Sequence, residues 1–295
     1  MFRSNRLSRN ANAVITGAGS GIGRAFALEL AARGGAIVCS DIDEAQAQAT
    51  VERIVAAGGK ALAVRCDVTQ LADVQALAQT SEHWFGGPAD LVINNAGVGA
   101  GGHRIGDMTL ADWRWVLDIN MWGVIHGCHV FAPRLRAAGR GGLINVASTA
   151  SFAAAPRMGA YNASKAAVLA VTETLAAELA DTSVHVCALC PTFVQTNIMK
   201  VGRISPASSK FADNLMRWAG VSPERVVKSA LAGLDRRQLY VLPQFDARLV
   251  WRLKRLLPSS YTKGAGFIDR FAANDMPETN HATDSESTRS RTGAM

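Results

Sequence analysis

Three side chains carry the chemistry that can be read directly from the sequence. Ser148 stands in NVASTAS, and Tyr161 and Lys165 follow in YNASK. At i and i+4 of a helix, Tyr161 and Lys165 share one face, so an ammonium can sit near a phenol oxygen. A phenol ionises near pH 10 in isolation and needs such a positive neighbour, or the charge of an oxidised nicotinamide, to act as a base near neutrality. Beside a bound alcohol, such a phenolate would remove a hydroxyl proton while the carbinol hydrogen leaves as hydride, and the reverse direction would reduce a carbonyl. Out of context a Tyr-x-x-x-Lys pair is an exposed helix pair, so the reading depends on what surrounds it.

A second set of residues suits a dinucleotide. In TGAGSGIG, residues Gly17, Ser20, Gly21, Ile22 and Gly23 lie between an apolar run and an Ala-rich amphipathic stretch. There, missing Cβ atoms allow a turn that brings backbone N–H groups against a pyrophosphate at a helix N-terminus. The alternative is a tight structural turn. Asp41, at the end of the next apolar run, is placed to accept both ribose hydroxyls of an adenosine and to repel a 2′-phosphate, which favours NAD over NADP. Asp43 adds to that preference, and Arg24 dissents because it could approach a phosphate. Asp67 could accept from an adenine amino group with Val68 packed on the ring, or cap the next helix, where Thr69 is better placed. In NNAG, Asn94 can brace neighbouring strand ends while Asn95 to Gly97 pass close to a bound ribose, for which Ala96 and Gly97 leave room.

The elements that must position these residues alternate regularly. Strands are expected at 13–16, 36–40, 61–66, 91–94, 142–148, 184–190 and 238–243. Helices are expected at 22–33, 44–57, 70–85, 111–138, 159–180, 208–218 and 223–233. Such alternation predicts right-handed crossovers and an α/β, doubly wound Rossmann fold with a predominantly parallel sheet flanked by helices. The expected organisation is a flexible start at 1–10, one catalytic domain at 11–245 with a lid-like excursion at about 195–222, an amphipathic basic extension at 246–269 and a polar tail at 270–295.

The motifs in this order and spacing resemble the short-chain dehydrogenase/reductase family over about residues 11–245. The resemblance rests on TGAGSGIG, Asp41, Asp67, NNAG, Asn120 in DINMWG, Ser148 and YNASK. It implies that Tyr161 is the general acid/base, Ser148 holds the substrate oxygen, Lys165 binds the nicotinamide ribose and lowers the Tyr161 pKa, and Asn120 orders a water in a proton relay. It also implies that Pro191 and Thr196 in CPTFVQTNIM approach the nicotinamide. Thr192 departs from the pattern, standing where the family has a glycine, and demands a compatible backbone angle. The helices at 111–138 and 159–180 resemble the family's dimer-forming pair, so a homodimer or homotetramer is expected.

Composition narrows the function. The 295 residues are 48% hydrophobic and 19% charged, which excludes collagenous or fully disordered chains. No apolar run reaches the roughly 18 residues of a membrane span, and no signal-like stretch precedes AVITG, so a cytoplasmic protein is expected. The net charge of +7 is scattered without aromatic interleaving, giving no nucleic-acid module. Cys187 and Cys190 read as strand residues pointing to opposite faces, a packed-thiol reading in preference to a redox or metal pair. His126 and His129 lack acidic partners, and no metal is expected. The expected substrate is an apolar alcohol, ketone or aldehyde of medium to large size, flanked by Phe152 and Met158 and covered by Ile198, Met199, Phe211, Leu215, Met216 and Trp218. A dehydratase or epimerase of the same fold, and a non-catalytic nucleotide sensor, are the competing functions. Beyond the last strand, Phe245, Leu249, Leu253, Leu256 and Leu257 form an apolar stripe beside Arg248, Arg252 and Arg255. The favoured cover is the catalytic domain or a second subunit, with peripheral attachment to a lipid headgroup layer as the alternative.

Overall fold

The computed structural model describes residues 6–196, 198, 202–204 and 220–274, with side chains through residue 270. The expected helix at 208–218, the lid residues Met199, Phe211, Leu215, Met216 and Trp218, and the tail beyond 274 lie outside the described residues. The first half runs β1 (Asn12–Thr16), α1 (Gly21–Ala32), β2 (Ala36–Asp41), α2 (Glu44–Ala56), β3 (Lys60–Arg65), α3 (Leu71–Phe85) and β4 (Leu91–Asn94). It is followed by β5 (Ala100–Gly101), α4 (Leu110–Leu117), a π-helical turn (Asp118–Trp122), α5 (Gly123–Ala138), β6 (Gly141–Val146), α6 (Ala150–Ala153), α7 (Gly159–Glu178) and β7 (Val184–Leu189). The last described elements are β8 (Arg203–Ile204), α8 (Pro223–Asp235), β9 (Tyr240–Val241), α9 (Phe245–Leu256) and α10 (Pro258–Asn274).

Seven strands form one parallel sheet in the order β3-β2-β1-β4-β6-β7-β9. Because side chains alternate across a strand, each strand feeds two cores. Ile15, Ile37, Ile93 and Ile144 pack beneath α1, α2 and α8, whereas Val14, Val38, Val92 and Leu143 pack beneath α3, α5 and α7. Cys187 and Cys190 fall in these two different cores, as their spacing along a strand requires. Strand order reverses between β1 and β4, and the C-terminal ends of these two strands therefore border the crevice where ligands bind in such sheets.

Several boundaries depart from the sequence expectation. The helix expected at 111–138 is two helices separated by the π turn, which carries Asn120. A π turn inserts an extra residue into the helical repeat, and nothing in the hydrophobic period marks it. The last strand shrinks to two residues because Pro243 has no N–H to continue the ladder. The strand expected through Ser148 ends at Val146. The short β5–β8 pair was not expected, and it ties the described middle of the excursion to the loop after β4. Among the described residues near the N-terminus, Ser8 is buried, donates from N and Oγ to Asp235 at 3.0 and 2.7 Å, and accepts from Arg33 at 2.7 Å.

The basic C-terminal helix turns its apolar stripe away from the catalytic domain, one of the two covers expected for it. Helix α9 packs on the domain through Ala247 and Trp251, whose ring meets Phe152 edge-on at 4.8 Å and Tyr240 at 5.0 Å. These rings cover the side of the helix opposite its apolar stripe, so Phe245, Leu249, Leu253 and Leu256 remain exposed. Among the described residues, no helix is long and apolar enough to cross a membrane.

Candidate active site

The loops leaving β1 and β4 are stitched together. Asn95 Nδ2 donates to the carbonyls of Thr16 and Gly17 at 2.9 and 3.1 Å, and Thr16 Oγ1 accepts from the N–H groups of Asn95 and Ala96 at 3.0 and 3.1 Å. Gly17 adopts φ +65°, a conformation that excludes most side chains, and a Cβ there would lie 2.9 Å from Ala96 Cα. At Gly23 a Cβ would stand 2.5 Å from Asn95 Nδ2. The first turn of α1 contains no acidic residue, and Ser20 at its N-cap makes no side-chain capping bond. Positive helix-end N–H groups thus meet a floor kept open by glycine, the arrangement that accepts a phosphate. Ile22 packs partly buried behind this turn.

Asp41 lies against the same turn. Its Oδ2 accepts from Gly19 N at 2.9 Å and its Oδ1 from Asp43 N at 3.1 Å. Gly19 escaped the sequence reading; a Cβ there would fall 2.7 Å from Asp41 Oδ2, so this glycine lets the carboxylate reach the turn. Arg24 is turned back on its own segment, donating to the Gly19 carbonyl and, through Nε, to Thr50 Oγ1 at 3.2 Å. Asp43 caps α2 by accepting from Gln46 N at 3.2 Å. Asp67 Oδ1 accepts from Thr69 N and Oγ1 at 3.0 and 2.8 Å, an Asx turn, and Val68 is buried against Gly123.

Ser148, Tyr161 and Lys165 converge beyond the C-terminal ends of β6 and β7. Ser148 sits just past β6, where its Oγ donates to the Pro191 carbonyl at 3.4 Å and accepts from Ala150 N at 3.1 Å. Burial raises the Tyr161 pKa above its ordinary value, and a hydrogen bond with the Ser148 side chain draws it partly back. One turn along α7, Lys165 is buried, with Nζ 5.8 Å from the centroid of the Tyr161 ring and donating to the Val146 carbonyl at 2.9 Å. Burial lowers its pKa to about 8. A Cβ on Gly97 would lie 3.5 Å from Lys165 Nζ and 3.0 Å from Asn120 Oδ1, so the NNAG loop faces this ammonium. Thr196 reaches the other side of the cleft, where its Cγ2 would be 3.1 Å from a Cβ on Gly21. Thr192 is absent from the left-handed non-glycine residues, and its N–H is held by Gln244 Oε1 at 3.1 Å. The backbone therefore accommodates the departure from glycine.

Two asparagines turn inward. Asn120 uses its amide on the loop backbone, accepting from Val98 N at 2.7 Å and donating to Val98 O at 2.9 Å. Asn94 donates to Asn145 Oδ1 at 2.8 Å and to Cys128 Sγ at 3.7 Å, and Asn145 continues to Thr172 Oγ1 at 3.0 Å. This buried chain braces β4, β6, α5 and α7 beneath the site. Gly127 makes room for it, since a Cβ there would lie 2.6 Å from Asn94 Cγ. Asn145 and Thr172 were not identified from sequence; each is an ordinary polar residue whose role needs a partner from another element.

The wall beside Tyr161 also differs from expectation. Trp113, Trp115 and Met108 join Ala100, Val116 and Ala160 in one apolar cluster with Tyr161. Arg203 of β8 lies over the Trp115 ring at 4.4 Å and pairs with Asp112 at 2.6 Å. Phe152, expected to flank the reaction centre, meets the Trp251 ring edge-on at 4.8 Å.

Comparison with known proteins agrees with this geometry. Residues 11–204 match the short chain dehydrogenase family. The "Probable oxidoreductase EphD" of Mycobacterium tuberculosis is 34% identical over 258 residues, which is 83% of this chain but 43% of that longer protein. The chain thus spans less than half the length of that relative. Cyclohexanol dehydrogenase of an Acinetobacter species is 35% identical over 66% of this chain and 77% of its own. A solved short-chain dehydrogenase/reductase from Burkholderia phymatum in complex with NAD superposes with a TM-score of 0.78 at 37% identity, covering 82% of this chain and 92% of that one. A glycine-floored turn at the end of β1, with Ser148, Tyr161 and Lys165 gathered across the crevice, thereby finds its family: the chain belongs to the short-chain dehydrogenases.

Proposed function

We propose that the chain is an NAD(H)-dependent oxidoreductase interconverting an apolar secondary alcohol and its ketone. The observation that carries this reading is the convergence of Tyr161, Ser148 and Lys165 on a crevice whose other wall is the glycine turn. The residues present fit a dinucleotide. The backbone of Gly17, Ser20, Gly21, Ile22 and Gly23 would hold the pyrophosphate, Asp41 the adenosine ribose, and Asp67 and Val68 the adenine edge. Ala96, Gly97, Lys165, Pro191 and Thr196 would flank the nicotinamide half, with Asn94 bracing the loop from below. Asp41 also supports NAD over NADP, and Arg24 is engaged by Gly19 and Thr50 rather than reaching for a 2′-phosphate. Bound there, nicotinamide supplies the hydride acceptor in one direction and the donor in the other.

The chain's own side chains manage the proton and the oxygen. Tyr161 Oη, ionised, takes the alcohol proton, and Ser148 Oγ donates a hydrogen bond to the same substrate oxygen. Lys165 stabilises the phenolate by charge and holds the ribose hydroxyls. The amide of Asn120 fixes the Val98 loop, and Asn120 would order a water in a proton relay toward solvent. Trp113, Trp115 and Met108 offer an apolar wall, which fits the cyclic alcohol named for the Acinetobacter relative. Exposed Leu110 and Trp122 near α4 and α5 suit a homodimer or homotetramer interface.

The direct experiment is a screen of secondary alcohols and ketones at the nicotinamide absorbance with NAD and NADP side by side. One reduced nicotinamide per ketone formed is expected. Product formation with no net change in nicotinamide would favour a dehydratase or epimerase, and saturable binding without turnover would favour a nucleotide sensor.

A further inference from the structure

We propose that α9 and the neighbouring basic cleft form a docking surface for an anionic lipid bilayer. Projected at about 100° per residue, Phe245, Leu249, Leu253 and Leu256 fall within about 80° of arc, while Ala247 and Trp251 lie about 160° to either side of its middle. The helix is anchored by one face and presents the other. On that outward face Phe245 is 76% exposed, Leu249 45%, Leu253 40% and Leu256 76%. Arg248, Arg252 and Arg255 occupy the next roughly 60° on one flank, so apolar and basic strips run side by side along the helix.

The basic strip continues into the body of the protein. Arg248 also lines a cleft of about 860 Å3 between α8 and the β9–α9 connection, together with Arg225, Lys228 and Arg236. Glu224 is its one acidic lining residue. Among the described residues, none of these four cations is in an ion pair. Arg248 is held in place instead, donating to the carbonyls of Leu242 and Pro243 at 3.0 and 3.2 Å. The cleft therefore combines unneutralised positive charge with ordered walls at the root of an exposed apolar stripe.

Charge selects the occupant. A second copy seated symmetrically on this face would bring the same unpaired cations toward one another without added acidic partners, a like-charge juxtaposition that opposes association. A bilayer bearing phosphate headgroups satisfies both strips at once: leucines and Phe245 enter the acyl boundary while arginines meet phosphates. The α9 helix is also rigidly mounted. Besides Trp251, its N-cap Gln244 donates to the Phe193 carbonyl at 3.1 Å and accepts from Thr192 N, and α10 is pinned by Asp269 to Arg157 at 2.8 Å. Docking needs no rearrangement of the domain, and it does not depend on the reaction proposed above.

The test is co-sedimentation of full-length protein with vesicles of phosphatidylcholine alone or with one quarter phosphatidylglycerol, at 0.15 M salt, with light scattering of the free protein in parallel. At least fivefold more protein should pellet with the anionic vesicles. Both Leu249→Ser/Leu253→Ser and Arg225→Gln/Lys228→Gln should abolish that gain; their sites are exposed, and unchanged thermal melting will establish that they fold. A wild-type protein that stays in the supernatant with anionic vesicles overturns the proposal. So does vesicle binding that survives both variants, or a leucine variant whose only change is a smaller oligomer, since the stripe then covers another copy of the chain.

Discussion

Gly23→Ala would probe the cradle at its tightest point. A Cβ there would lie 2.5 Å from Asn95 Nδ2 and 2.7 Å from the Gly17 carbonyl carbon. Comfortable contacts between such atoms begin at roughly 3.5 Å, so one side must move by about 1 Å. Neither side is a free side-chain tip. Gly17 is backbone at φ +65°, and Asn95 Nδ2 is the donor that ties the β4 loop to Thr16 and Gly17. Overpacking of this kind costs about 1–3 kcal/mol, and each Asn95 bond that breaks removes about 1 kcal/mol more. A loss of about 2–4 kcal/mol corresponds to a melting temperature lower by about 4–16 °C for a domain of this size. Because the displaced peptide groups belong to the proposed pyrophosphate site, NAD affinity should fall at least tenfold, or about 1.4 kcal/mol. Calorimetric titration and thermal melting measure both effects, with Gly87→Ala, where an added Cβ meets nothing within 4 Å, as the control. NAD affinity within twofold of wild type in a folded Gly23→Ala protein would refute this account of the turn.

Asp41→Asn replaces one acceptor facing Gly19 or Asp43 by an amide donor and removes the charge that would repel a 2′-phosphate. The ratio of catalytic efficiencies, NADP over NAD, should rise tenfold or more; an unchanged ratio places the discrimination elsewhere. Lys165 titrates at about 8 in the folded chain against 10.5 in its ordinary state, because burial disfavours its charge. Its burial penalty is therefore complete below about pH 8 and relieved between about 8 and 10.5, where the unfolded chain binds more protons. The shift corresponds to a penalty on the order of 3 kcal/mol. Lys165→Met should accordingly stabilise the apo-protein more at pH 7 than at pH 10, and urea midpoints that differ equally at both pH values would contradict this.

Much of this architecture is legible in the sequence because it depends on local period and local chemistry. The alternation of β-branched runs with Ala-rich amphipathic stretches locates β1 to β4, and the i, i+4 spacing puts Tyr161 above Lys165 on α7. Gly17 and Gly23 are visible because their order is tied to a strand and a helix. What escapes depends on partners distant in the chain. Gly19 matters only because Asp41 approaches it, Gly127 only because Asn94 needs its space, and Asn145 only through Thr172 and Asn94. The π turn around Asn120 leaves no mark on the hydrophobic pattern. The contact of Phe152 with the ring of Trp251, far along the chain, was likewise invisible to local pattern. For the same reason the C-terminal stripe revealed that one face needs cover without revealing which face the domain would take.

The central claim is that Tyr161 moves the proton while the protein holds alcohol and nicotinamide together. It is tested most directly by measuring Tyr161→Phe on the first secondary alcohol the wild type oxidises, with NAD affinity and turnover determined on the same preparation. Losing only the hydroxyl, the variant should melt as wild type does and bind NAD within about threefold, while turnover falls by roughly 100-fold or more, the scale of lost general acid–base catalysis. Turnover within a few-fold of wild type, in a variant that binds NAD normally, would contradict the account.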